Sequence, residues 1–461
     1  MIAPPLPFAL AALFSLSLLA GCRSVAERPA PPTFDGSASF TVATATSPVP
    51  DEAAWWDRDL GPSHRDWVKR LFASNPSLRI ASAEMRERWA RLQAAEADLG
   101  PRLDATAGAR ITRSDGNGTE GVDAGVDAGL PIDISGQRRA EVEGRLWEYR
   151  QAAYLLEQTR LEQVESLLLA LTDHAEARQR EQLLDRQLRT TRKQLHLTEI
   201  RFTQGLVSSV DVLQQREQIS SLEQQYPEVR LAARLAMNQV SALLGAPPAM
   251  DLKLPAELAD IPPDVPLQRP GELLQRQPGL LAQQAGLAAA DADFESALRA
   301  RLPQLALSGS ALWQLLAGNT AAVVQAALDA SLNLFDSGER SAEIARRLAL
   351  LEIAGTRYLQ DWLTAVRDAD DLLNTRESLD RQLQRNRERR RLAQQLYQAT
   401  LSRYQRGVTD YLPVLTALRD LQQQERETLR LRAERQRTLI RLKTAAGLPR
   451  EMLAGNREER E

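Results

Sequence analysis

The chain repeats itself at a fixed interval. Pro76 is matched by Pro278, Pro101 by Pro303, Gly136 by Gly338, Gly205 by Gly407, Gly245 by Gly447 and Pro247 by Pro449, and in every pair the two numbers differ by 202. The register therefore holds without net insertion or deletion across nearly the whole sequence. Each copy runs through the same order of patterns: a helix, two alternating strands, a very long helix, a turn and a returning helix. A duplicated unit that cannot close on itself must close with further copies, so the pattern predicts a symmetric assembly.

At 461 residues, length alone would suggest about three domains. The repeat predicts instead two equal halves sharing one body. The net charge is only −3, which excludes a nucleic-acid partner on electrostatic grounds. Aromatic residues make up 5% of the chain, while Ala, Leu, Arg, Gln and Glu dominate, the composition of long helices.

The N-terminus has a different character. Residues 1–21 carry no charged side chain and include the apolar run Phe8 to Leu19. That run suits a secretory leader and is too short for a comfortable transmembrane helix. It ends in Leu19-Ala20-Gly21-Cys22, and Cys22 is the only cysteine. The step resembles the bacterial lipobox, which implies acylation of Cys22. Arg23, in place of an aspartate, is compatible with transfer to the outer membrane, where two or three acyl chains anchor firmly. With one cysteine, stability must come from packing and not from an internal disulfide. The expected organisation is a signal peptide over 1–21, a lipid anchor and extended linker over 22–54, and a first repeat over 55–247. A linker rich in proline follows over 248–270, then a second repeat over 271–449 and a tail over 450–461. Trp55, Trp56 and Trp67 at the start of the first repeat are expected to pack in the core.

After Pro101 the hydrophobic period changes from helical to alternating. Leu103, Ala105, Ala107, Ala109 and Ile111 are interleaved with polar residues and glycine. A loop over 114–120 is expected to reverse the chain, and the alternation resumes from Val122 to Ile134. Copy two repeats it with Leu305, Leu307, Gly309, Ala311 and Trp313, a loop near Gly318 and Asn319, and Ala326 to Leu334. Strict alternation over about ten residues is what a tilted strand needs to cross a bilayer. Four strands leave open edges, each unpaired backbone group costing several kcal/mol in lipid. Closed barrels begin at about eight strands. Two copies would supply eight, with an interior filled by side chains, and three would supply twelve, leaving a passage.

From the Ser-Gly steps at Ser135 and Ser337, both candidate caps, no proline interrupts the sequence before Gly205 or Gly407. A helix of about 68 residues would be on the order of 100 Å long. It reads as a coiled-coil strut, with Leu167, Leu171, Leu184, Leu188 and Leu195 on one seam. Pro227 should kink the first returning helix, whereas Leu429 occupies that place in the second.

The sharpest motif is the paired turn. Copy one reads Arg201-Phe202-Thr203-Gln204-Gly205-Leu206-Val207-Ser208-Ser209, and copy two Arg403-Tyr404-Gln405-Arg406-Gly407-Val408-Thr409-Asp410-Tyr411. Gly205 and Gly407 suit the left-handed position that ends a helix. Ser208 or Ser209, and Thr409 or Asp410, can cap the helix that returns, and Pro413 fits its first turn.

At these residues the chain resembles the TolC-type outer-membrane factors, in particular the NodT-like lipoprotein branch that serves RND efflux systems. The resemblance extends over Trp55-Trp56, Phe72-Ala-Ser-Asn-Pro-Ser-Leu, Leu334-Phe-Asp-Ser-Gly-Glu-Arg and both turns. It implies a mainly α fold with a small membrane β-barrel, in which a homotrimer contributes four strands per protomer and continues the barrel as a periplasmic α-helical barrel. It further implies an outer-membrane exit duct for small, drug-like molecules, working with a periplasmic adaptor protein and an inner-membrane RND transporter. By position, Gly205, Val207, Ser208, Gly407, Thr409 and Asp410 would form the periplasmic tips that meet the adaptor. Asp410 would supply a ring of charge around the aperture, or simply cap its helix.

No nucleophile elbow, phosphate loop or metal-spaced Cys/His pair is present, so no enzymatic activity, cofactor or metal is expected. His64, His174 and His196 are isolated and read as solvated or packing residues. The rival reading is a lipid-anchored periplasmic coiled-coil scaffold without a pore. Within the channel class, export of metals or of type I polypeptides is the other course.

Overall fold

A computed structural model describes residues 28, 30, 32–34, 39–42, 53–114, 117–248, 252–265, 269–316, 319–333 and 335–449. Cys22, the leader over 1–21 and the tail over 450–461 lie outside the described residues.

Copy one contains α1 (Trp55–Asp59), α2 (Pro62–Ser74), α3 (Pro76–Ala97), β1 (Arg102–Ser114) and β2 (Asn117–Ile132), then α4 (Gln137–Thr203), α5 (Ser209–Glu223) and α6 (Gln225–Leu243). Copy two contains α7 (Leu273–Arg276), α8 (Pro278–Arg299), β3 (Gln304–Leu316), β4 (Asn319–Ser331), α9 (Glu339–Gln405) and α10 (Leu412–Ala445). The long helices α4 and α9 are both 67 residues. Among the described residues no helix is long and apolar enough to cross a membrane.

Helix boundaries follow local chemistry. Proline opens α3 and α8, where its missing N–H costs nothing. Asn75 caps α3 by accepting from the Leu78 N–H at 2.9 Å, while its amide donates to the Leu243 carbonyl at 2.8 Å. The first returning helix breaks at Gln224, so that Pro227 falls in the opening turn of α6, whereas α10 runs unbroken. The candidate cap Ser337 is not the one used. Asp336 takes the role, accepting from Gly338 N at 3.0 Å, and Ser337 is left with a positive φ of 52°. In copy one Asp133 accepts from Arg139 N at 3.0 Å, with Ser135 assisting at Gln137 N. An aspartate offers two acceptor oxygens to a helix start and a serine only one.

The chain divides into two compact units. One holds residues 89–148 and 285–358 together with described residues before 34. Its four strands form an antiparallel sheet in the order β1-β2-β3-β4. The strands reach closer to each turn than the alternation suggests, since Ser114 pairs with Asn117 and Leu316 with Asn319. Of the expected loop over 114–120, Ser114 and the residues from Asn117 to Glu120 instead join the ladder. The register aligns every alternation. Ala105 pairs with Val126, Val126 with Ala311, and Ala311 with Val324. Residues opposite one another share a face. Away from the turns, one face is thus apolar across four strands, and the other carries Asp104, Asp123, Asp127, Ser308, Ser310, Gln325 and Asp329. Beneath the strands in the same unit, Phe294, Ile344 and Leu351 form a small core.

The other unit holds residues 34–88, 149–284 and 359–461, as far as these are described. Its main core joins Trp55, Trp56, Trp67 and Leu71 to Leu161, Leu167 and Leu171 of α4, Val240 of α6, and Leu439 and Ile440 of α10. Leu167, wholly buried, contributes about 1.5–3 kcal/mol by burial alone. Farther along α4, Leu184 and Leu188 pack against Leu222 and Val229, the heptad seam that the sequence marks. His174 is buried, with Nδ1 3.1 Å from the Pro255 carbonyl, and serves packing.

Candidate functional site

Both turns close by the same hydrogen bonds. At the end of α4, Gly205 N donates to Phe202 O at 2.9 Å and Leu206 N to Arg201 O at 2.9 Å. At the end of α9, Gly407 N donates to Tyr404 O at 2.9 Å and Val408 N to Arg403 O at 3.0 Å. This pairing satisfies the last carbonyls of a helix and needs a left-handed residue, here Gly205 at φ +71° and Gly407 at φ +74°.

The starts of the returning helices differ. Ser208 caps α5: its hydroxyl accepts from Val210 N at 3.1 Å, and Asp211 reaches back to accept from Ser208 N at 3.0 Å. In copy two neither Thr409 nor Asp410 caps α10. Tyr411 occupies the cap position without a side-chain bond, and Pro413 lies in the first turn. Asp410 is exposed and makes no side-chain hydrogen bond or ion pair among the described residues. Gly205, Ser208 and Gly407 are exposed as well, whereas Val207 and Thr409 are half-buried.

Below the second turn sits an aromatic cluster that sequence reading overlooked. Tyr404 and Tyr411 meet edge to face at 5.3 Å and pack with Tyr397, Val414, Leu415 and Leu418, with Val207 of the first turn against them. Burial pushes the Tyr411 hydroxyl well above its ordinary range, and the hydroxyls of Tyr404 and Tyr411 find no partner among the described residues. Each such group costs about 1–3 kcal/mol, so packing and not hydrogen bonding holds these rings. The only hint in the sequence is the aromatic residue three positions before Gly407.

Arg201 ties the two turns together. Its guanidinium stacks 4.4 Å from the Tyr404 ring centroid and donates to the Tyr404 carbonyl at 3.1 Å. The two helical hairpins continue side by side through polar contacts. Gln194 donates to Tyr397 Oη at 3.2 Å, Gln187 to Glu425 at 2.9 Å, and Gln218 to Gln422 at 3.2 Å, while Arg419 pairs with Glu217. The two turns thus lie side by side, with Gln204, Ser208, Ser209, Arg403, Arg406 and Asp410 among their exposed polar residues. They also leave apolar side chains in solvent: Leu206 is 63% exposed, Val408 62% and Leu412 56%. Such a surface suits contact with other proteins.

The family model described as outer membrane efflux protein matches residues 67–246 and 270–448, one match in each repeat. The pyoverdine export outer membrane protein OpmQ of Pseudomonas aeruginosa is 28% identical over 447 residues, covering 91% of each chain. The probable outer membrane lipoprotein SilC of Salmonella typhimurium is 25% identical, covering 95% of this chain and 98% of the relative. The open state of the Neisseria gonorrhoeae MtrE outer membrane channel superposes with a TM-score of 0.81 at 20% identity, over 93% of this chain and 98% of that one. The chain belongs to the outer membrane efflux protein family and is the outer-membrane channel component of an efflux system.

Proposed function

We propose that three copies of this chain seal their sheets edge to edge into one barrel and act as a passive exit duct for small molecules. One observation carries this reading. Among the described residues β1 and β4 are each paired on one side only, and the sheet between them presents one apolar and one polar face. In lipid such edges must be closed, and only another copy offers a matching edge. Three copies of a four-stranded sheet bring twelve strands, enough for a lumen lined by the polar face. The paired turns then form the periplasmic end, where Gly205, Val207, Ser208, Gly407, Thr409 and Asp410 meet an adaptor protein. That adaptor couples the duct to an inner-membrane RND transporter. Asp410, exposed and unpartnered among the described residues, supplies three carboxylates around the aperture. Cys22 carries the lipid anchor, in keeping with the lipoprotein named among the relatives.

The test is reconstitution of the mature, acylated chain. Native mass spectrometry should give a trimer that SDS dissociates only on heating, and planar bilayers should show discrete conductance steps. A folded monomer with no conductance would leave the scaffold reading in place of the duct.

A further inference from the structure

The contacts between the two hairpins within one chain join a residue of copy one to a residue of copy two. Arg201 meets Tyr404, Gln194 meets Tyr397, and Gln187 meets Glu425. Shifting both members by the repeat interval gives the contact that copy two of one chain would make with copy one of the next. Arg201 becomes Arg403, and Tyr404 becomes Phe202. Gln187 becomes Arg389, and Glu425 becomes Glu223. Gln194 and Tyr397 become Leu396 and Leu195.

The shifted residues are chemically matched, and the Arg389–Glu223 contact would compete with the pairs these two make within the chain, with Asp420 and Arg192. Arg403 is exposed and has no side-chain partner among the described residues, and Phe202 is 45% exposed. Together they reproduce a guanidinium over an aromatic ring, with the carbonyl of the same residue as acceptor. Arg389 and Glu223 replace a neutral amide on a carboxylate by opposite charges. Leu396, 53% exposed, gains an apolar partner in place of the Gln194–Tyr397 hydrogen bond.

We infer that Arg403 of one copy clasps Phe202 of the next, with Arg389 paired to Glu223 below it. Each junction between copies thereby repeats the Arg201–Tyr404 clasp inside the chain. The clasp is incomplete in a single chain: its guanidinium lies on α9 and its ring on α4 of the neighbouring copy. This inference rests on the trimeric reading and specifies which faces meet. It also gives the exposed apolar and basic side chains near the turns a second copy of this chain as their occupant.

The experiment replaces Phe202 by photoreactive p-benzoylphenylalanine in the full-length chain, then irradiates the purified trimer. A chain-to-chain adduct on the α9 peptide around Arg403 is expected. A trimer that yields no such adduct, or one only within its own chain, overturns the clasp and leaves the trimer standing. Failure to form a trimer overturns both. A second readout avoids the aromatic site. Arg389→Glu should lower the temperature at which the trimer dissociates, and adding Glu223→Arg should recover most of that loss. Within one chain Glu223 already pairs with Arg192 and Arg389 lies near Asp420, so Arg192→Ala and Asp420→Ala serve as references. Failure of the charge swap to recover stability counts against the pairing.

Discussion

Lys443 and Asp59 form the most buried ion pair among the described residues, with side chains only 1% and 6% exposed. Lys443 also donates to the Asp264 carbonyl at 2.8 Å. Burial pushes the Asp59 carboxyl upward, but hydrogen bonds from Arg58 and Lys443 outweigh it and hold the group below the usual range. Burial pulls Lys443 below the usual ammonium range in spite of Asp59. The stabilisation from Asp59 is complete above its unfolded pKa of about 3.9 and is lost as pH falls through the lower folded value. Acidification below about pH 3.9 should thus loosen the core around Trp55, which tryptophan fluorescence would report. Lys443→Met should destabilise the chain by about 3 kcal/mol, because Asp59 stays buried with Arg58 as its remaining partner. Combining it with Asp59→Asn should recover part of the loss. Equal melting temperatures for Lys443→Met and the parent would refute this account. Neither residue stands out in the sequence, since a lysine late in a helix reads as solvated and its partner lies 384 positions away.

At the level of elements, two glycines test what the turns require. A Cβ at Gly407 would meet nothing within 4 Å, so only the φ of +74° opposes a side chain. Gly407→Val should cost about 1–2 kcal/mol, felt locally at the turn, and Gly407→Asn less. Amide hydrogen exchange of the turn peptide is the measurement, and unchanged exchange in the valine variant would contradict it. At Gly447 a Cβ would lie 2.1 Å from the Arg276 carbonyl, so even Gly447→Ala should lower the global melting temperature more than Gly407→Val does. The strands allow a separate prediction. Asp123 and Asp127 share the polar face with Asp104 and Asp329, so Asp123→Asn with Asp127→Asn should reduce the preference for cations in bilayer recordings. An unmoved reversal potential would place those carboxylates outside the conduction path. Strand, helix and turn were all legible from period and glycine position. Asp133 and Asp336 hold helix starts that the sequence assigns to Ser135 and Ser337, because both residue types favour that role and only geometry separates them.

On the scale of the molecule, anchoring and assembly are separable. Cys22→Ser should remove the acyl mass seen by intact-mass spectrometry while leaving trimer formation in detergent unchanged, since the proposed contacts between copies are made by strands and hairpins. Loss of the trimer together with the lipid would contradict that division. The repeat, the alternation and the two glycine turns together determined that this chain is helical struts joined to strands, and led to the expectation that its strands close with further copies. Those are local, periodic properties, written in residues a few positions apart. Only the tertiary structure decided that β2 pairs with β3, which merges two separate alternations into one apolar face, and that Arg201 reaches Tyr404. Such contacts join residues some 200 positions apart, and no local period fixes which distant partner a side chain finds once the chain has folded back on itself.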